Sequence, residues 1–144
     1  MKSLFKLTCL LFCILSLSVT SKTNQTLTGT WNLVCITDLN TNEQNLESEE
    51  QNYPITLQFT DDGHLGKING HTTTNDVSGK YELFGENEMI VEKFGGTKVG
   101  EHGWGKGFWA TIKQSTSYVF KSNILIIYSE NNTKTMRFSR AIEK

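Results

Sequence analysis

The sequence predicts a mainly β fold: a small antiparallel β-barrel-like domain with one short helix, following a cleaved signal peptide. Three observations point there. From Thr30 onward, apolar residues recur at every second position in short runs, the period of a half-buried strand. Turn-forming clusters such as "DDGH", "GEN" and "ENN" divide those runs at the spacing of an all-β barrel or sandwich. One stretch, "WGKGFWATIKQ", breaks the period, with Trp104, Phe108 and Ile112 at i, i+4 and i+8.

The chain opens "MKSLFKLTCLLFCILSLSVTSK", with Lys2 and Lys6 ahead of an apolar run from Leu7 to Leu17. That is the pattern of a signal peptide, and the run is shorter than the roughly 20 residues a spanning helix needs. Val19 and Ser21 are small enough to precede a cleavage site, so residues 1–21 read as the signal peptide and 22–144 as the domain. A lipoprotein would need a cysteine directly behind a small residue after the apolar core. Cys13 follows Phe12 and Cys9 lies too early, so the expectation is a freely exported protein, secreted or periplasmic, with no membrane anchor after cleavage.

Cleavage removes two lysines, leaving 12 basic and 15 acidic side chains and a net charge near −3. A nucleic-acid partner would call for a basic stripe instead. The remaining length suits one domain with one core. Only Cys35 of the three cysteines remains, so no internal disulfide is expected.

The strands follow in order. "TWNLVCIT" places Trp31, Leu33 and Cys35 on one face, read as the buried one, and Asn32, Val34 and Ile36 on the other. "DLNTNEQNLESEEQNY", residues 38–53, is acidic and amide-rich and reads as a solvated connection; it lacks the alternation and glycine of a calcium loop. In "PITLQFT", Ile55, Leu57 and Phe59 share a face, and Pro54 stands at a strand start, where its missing N–H is tolerated. "DDGH" turns the chain into "LGKI". "GKYELF" and "EMIVEKF" flank the tight turn "GEN". "TSYVF" leads to "NILIIYS", and "ENN" turns into "TKTMRFSR". Gly105 and Gly107 weaken the first turn of the helical stripe, so a helix is expected from about Phe108 to Gln114, covering a barrel end or an open sheet edge. The expected filled core includes Leu33, Leu57, Phe59, Tyr81 and Ile126.

Taken together, "LTGTWNLV", "ITLQFTDDGHLGKINGHTTTNDVSGKYEL", "GGTKV" and "NILIIYSENNTKTMRF" resemble, in order and spacing, the META domains of the HslJ-like heat-shock family. The resemblance runs from about Leu27 to Phe138. It implies a small, often exported barrel-like domain, linked in some members to envelope stress and without established catalytic chemistry. The family often has a Gly-Cys-Asn and a second cysteine after the loop threonine; both cysteines are missing here. A weaker resemblance is to lipocalins, through "GTW" at residues 29–31 and Arg137 near the last strand. It implies that the first and last strands meet and that Arg137 lies over Trp31 in a cation–π contact.

"GEHGWGKG", residues 100–107, has the glycine and lysine spacing of a phosphate-binding loop, but Gly107 stands where the magnesium-binding hydroxyl belongs. The strand before it also alternates as an antiparallel strand does. His64, His71 and His102 have no tight spacing; His71 and His102 beside Glu101 would make a zinc or copper site only if folding joined them. No nucleophile elbow is present, and Glu49–Glu50 and Asp61–Asp62 sit in polar turns. The expectation is therefore a non-enzyme without cofactor or metal.

The remaining candidate is aromatic: Trp104, Phe108 and Trp109, either capping the barrel or forming an interaction surface. Asn24 and Asn131 head glycan sequons. The functional expectation is non-catalytic recognition of a protein partner; the alternative is carriage of a small apolar ligand in a lipocalin-like interior.

Overall fold

The computed structural model describes residues 25–46, 52 and 54–142. The expected signal peptide, the Asn24 sequon and most of the acidic stretch beyond Leu46 lie outside the described residues.

The strands are β1 (Gly29–Asp38), β2 (Gln44–Leu46), β3 (Thr56–Asp61), β4 (Leu65–His71), β5 (Asp76–Phe84), β6 (Glu88–Gly96), β7 (Ser115–Lys121), β8 (Ile124–Ser129) and β9 (Lys134–Arg140). Among the described residues there is one helix, α1 (Gly105–Ile112), which links β6 to β7. From β3 to β9 each strand pairs antiparallel with the next, and β1 pairs with both β3 and β9. Eight strands thus close into a barrel. The short β2, inside the stretch expected to be irregular, lies against the second half of β1.

Alternation along the strands builds the interior. Trp31, Phe59, Tyr81 and Phe138 are fully buried, and Phe59 meets Tyr81 and Phe138 edge-to-face at 5.4 and 6.5 Å between centroids. Burying each such side chain contributes roughly 1.5–3 kcal/mol, with about 0.5–1.5 more for each aromatic pair. Bulky rings fit because β4 supplies gaps. Gly66 is paired opposite Tyr81, and a Cβ there would lie 2.2 Å from the ring.

The faces of two strands differ from the sequence reading. A bulge opposite β9 falls between Leu33 and Cys35. Trp31 and Leu33 point inward as expected, but past the bulge Ile36 takes the core position and Cys35 pairs with the exposed Arg137. Cys35 is still buried, yet on the outer side of the sheet. An extra residue reverses the parity of everything after it. In β8, Leu125 and Ile127 face in and Ile126 faces out, so Ile126 is not a core residue.

The first and last strands do meet, but the cation over Trp31 is Arg140, not Arg137. Arg137 lies between the inward-facing Met136 and Phe138 and therefore points out. Arg140 is two positions beyond Phe138, on its face, and pairs directly with Trp31. Its guanidinium carbon lies 4.5 Å from the indole centroid.

The helix begins three residues before the expected Phe108 and ends two before Gln114. Gly105 is buried in its first turn; a Cβ there would come within 2.3 Å of the Glu101 carboxylate. That glycine serves close packing, which offsets its weak helical propensity. At the other end, the Gln114 N–H bonds the Thr111 carbonyl and tightens the last turn.

Candidate functional site

The outer face of β4–β6 carries a row of lysines set by register. Lys67 is paired opposite Lys80, and Lys80 opposite Lys93. Adjacent strands lie about 4.8 Å apart, so three ammonium stems rise from neighbouring points on one face. Like charges directly opposite each other oppose sheet formation. Among the described residues, no carboxylate forms an ion pair with any of the three. They line a concavity of about 730 Å³ together with Lys113, just past α1, and with Asn69, Ser78 and Glu92. A second concavity, about 590 Å³, shares Lys67, Lys80 and Glu92 and reaches Asp61 and Asp62.

The third wall of the first concavity is β6 itself, through the consecutive residues Val91 to Gly95. β6 is only half used as a sheet element. It pairs with β5 along its length, but with β7 only at Glu88↔Ser117. From Ile90 to Gly96 its other edge pairs with no strand among the described residues. Lys80 pairs with Lys93 and Tyr81 with Val91, so Glu92 is an extra residue on β6, and this bulge bends the strand there.

Beyond β6 lies the loop expected to matter most. The Glu101 carboxylate is its centre. It accepts hydrogen bonds from Thr72 Oγ1 (2.5 Å), Asn75 Nδ2 (2.6 Å), Trp109 Nε1 (2.6 Å) and Thr73 Oγ1. Burial pushes its pKa up, but the bonds from Thr72, Thr73, Asn75 and Trp109 outweigh that, leaving it below the usual carboxylate range. Asn75 adds bonds to Thr97, Val99 and the Val99 carbonyl. Together they fasten the 97–104 loop to the 72–75 turn.

Trp104 and Phe108 are buried in the core, and Trp109 is half-buried, its ring edge against Phe94 at 5.2 Å and Lys113 over it at 5.1 Å. Trp109 alone of the three reaches the surface. Glycines of the phosphate-loop-like stretch shape a connection from an antiparallel strand into α1.

His71 Nδ1 lies 2.9 Å from Asp76, and His64 bonds the Leu83 carbonyl. Glu101 is committed to its four donors, and no group of three or more metal-ligating side chains forms among the described residues. Asn131 lies exposed in the β8–β9 turn at φ 55°.

At one end of the barrel, the Tyr81 hydroxyl donates to Asp61 Oδ2 at 2.5 Å, and the same carboxylate accepts the Leu27 N–H at 2.9 Å. Burial, then the bond to Asp61, holds the Tyr81 hydroxyl well above the usual tyrosine range. The Tyr118 hydroxyl is buried without a hydrogen-bond partner among the described residues, and burial raises its pKa too.

Sequence reasoning missed the lysine row. Each lysine sits at an outward position of an alternating strand, which was legible. That the three fall opposite one another depends on two hairpin registers and one bulge, which was not.

Among solved structures, the fold is similar to an NMR structure of a protein from Burkholderia xenovorans, with TM-score 0.61 and 18% identity over 84% of this chain and 85% of that one. It is also similar to the crystal structure of a DUF4847 family protein from Bacteroides vulgatus, with TM-score 0.58 and 14% identity over 81% and 95%. At such identities the likeness shows the fold alone. No curated protein matches the chain. The resemblance to META domains does not hold: the family model that matches is a different one, and the stress-linked role that came with the resemblance is left without support. The matching model, described as a domain of unknown function (DUF4847), covers residues 15–140, so the chain belongs to the DUF4847 family.

Proposed function

We propose that this domain is an exported, non-catalytic recognition module whose outer β4–β6 face binds an anionic partner. One observation carries the reading: Lys67, Lys80 and Lys93 stand opposite one another across three strands, without carboxylate partners among the described residues, around a concavity of about 730 Å³. A fold that only needed solubility could alternate charges here, and the like-charge row works against the sheet that bears it. An anion bound among the lysines removes that repulsion. The interior supports an outer-face site over carriage of apolar cargo, since the inward side chains pack into one continuous buried cluster.

The test is binding of poly-L-glutamate and of inorganic polyphosphate, followed by calorimetry. The wild-type chain should bind at least one of them, more weakly as salt rises, and a variant with Lys67, Lys80 and Lys93 all changed to Gln should lose that binding. Neither polyanion binding, or the variant binding as well as wild type, would overturn the reading.

A further inference from the structure

The acidic partner has a place to lie. Between β6 and α1 the barrel wall is open along one strand edge, and α1 does not fill it. The helix backbone makes its close approach to β9, while it meets β6 through side chains: Phe94 packs edge-on against Phe108 at 6.0 Å and against Trp109 at 5.2 Å. A side chain built at Gly95 would meet nothing within 4 Å. Five consecutive β6 residues, Lys93 among them, line the concavity together with Lys67 and Lys80 from β4 and β5 and with Lys113 just past α1. An unpaired edge is a ready template for another strand, and native edges are usually covered or bent away.

We propose that an extended acidic peptide segment of a partner protein adds as a strand along β6 from Ile90 to Gly96, its acidic side chains meeting Lys93, Lys80 and Lys113. Main-chain hydrogen bonds to the edge give this mode its affinity, and alternate side chains give it specificity. Charge complementarity names the occupant: the groove holds four lysines against one glutamate, Glu92. The inference rests on the anion-binding reading of the same face and adds to it the partner's backbone conformation.

The probe is a synthetic peptide of alternating Glu and Thr, compared with the same peptide interrupted by prolines, with an alternating Lys–Thr peptide and with inorganic polyphosphate. Binding is read by fluorescence anisotropy, and backbone protection by hydrogen exchange over residues 88–97. The Glu–Thr peptide should bind and slow exchange along β6. The proline-interrupted peptide, which cannot complete a ladder, should bind weakly and give no protection. Changing Lys80 and Lys93 to Gln should weaken the Glu–Thr peptide about five- to tenfold.

If the peptide binds through the lysines while β6 exchange is unchanged, strand addition is overturned and anion recognition stands. Binding of polyphosphate alone likewise overturns the peptide assignment and leaves the anionic face intact. If no polyanion binds, both readings fall together.

Discussion

The guanidinium of Arg140 lies over the indole of Trp31, and the two residues are directly paired across the strands that close the barrel. The same guanidinium reaches the Phe120 ring at 5.8 Å and donates to the Thr28 carbonyl at 3.3 Å. Arg140→Ala should therefore destabilise the domain by about 1–2 kcal/mol in urea unfolding, the range of a cation–π contact against a buried ring plus lost packing. Arg137→Ala, on the outward face, should stay within about 0.5 kcal/mol of wild type. Equal losses from both would contradict this assignment.

Gly66 is the gap that admits Tyr81. A methyl group in Gly66→Ala would sit inside the phenol ring's volume, so the ring or the strand must shift. A loss of about 1–3 kcal/mol is expected, the usual range for overpacking. The pair of Gly66→Ala with Tyr81→Leu should lose less than the sum of the two single changes, which a double-mutant cycle in urea would measure.

Glu101 ties stability to acid pH. Its folded pKa lies below the unfolded value of 4.5, so its contribution is present above pH 4.5 and is lost as pH falls through the folded pKa. Glu101→Gln should flatten the acid limb of the stability–pH curve below about pH 4.5. Glu101→Ala, which leaves four donors without their acceptor, should cost about 1–3 kcal/mol at neutral pH and shift Trp109 fluorescence. An unchanged acid limb in Glu101→Gln would refute the linkage.

Tyr81 acts at the other end of the scale. Its folded pKa is raised, so its contribution is complete below the unfolded value of 10.0 and declines as pH rises above it. In an ultraviolet titration, phenolate from Tyr81 should appear only as the barrel unfolds. Tyr81→Phe should remove the bond to Asp61 and lessen the alkaline loss of stability.

The lysine row gives a prediction of opposite sign. Lys80 has a lysine on each side, so Lys80→Gln should raise stability by about 0.2–1 kcal/mol at low salt, with the gain shrinking as salt is added. The same change should weaken polyanion binding. A variant more stable but poorer at binding separates a site from ordinary surface charge.

How much of this was legible in the sequence follows from what local rules govern. Strand positions were readable because alternation and turn residues are local, and the barrel with one helix followed from them. Faces in β1 past its bulge were not: Val34 is one residue too many, and it moved Ile36 inward and Cys35 outward. The role of Arg140 was hidden by the same parity problem, since Arg137 is as close to the chain end but lies on the opposite face. In the loop, the glycines and tryptophans drew attention, while the residue that organises it is Glu101. Its four donors come from two separate stretches, the 72–75 turn and Trp109 on α1, and no spacing rule joins them. The family resemblance was misled by motifs that report a Gly-x-Trp opening strand and an Asp-Gly hairpin, features that unrelated small barrels share.

The pairing of β1 with β9 also has a temporal side. The ribosome makes Trp31 well before Phe138 and Arg140, and the seam between them cannot form until both exist. The β3–β4, β4–β5, β5–β6, β7–β8 and β8–β9 walls are hairpins that local search can find, but closure waits on a contact spanning nearly the whole domain, the slow kind in folding kinetics. Until that moment β1 and β9 are both open edges, and a chaperone that shields them would be guarding the chain at its most aggregation-prone stage.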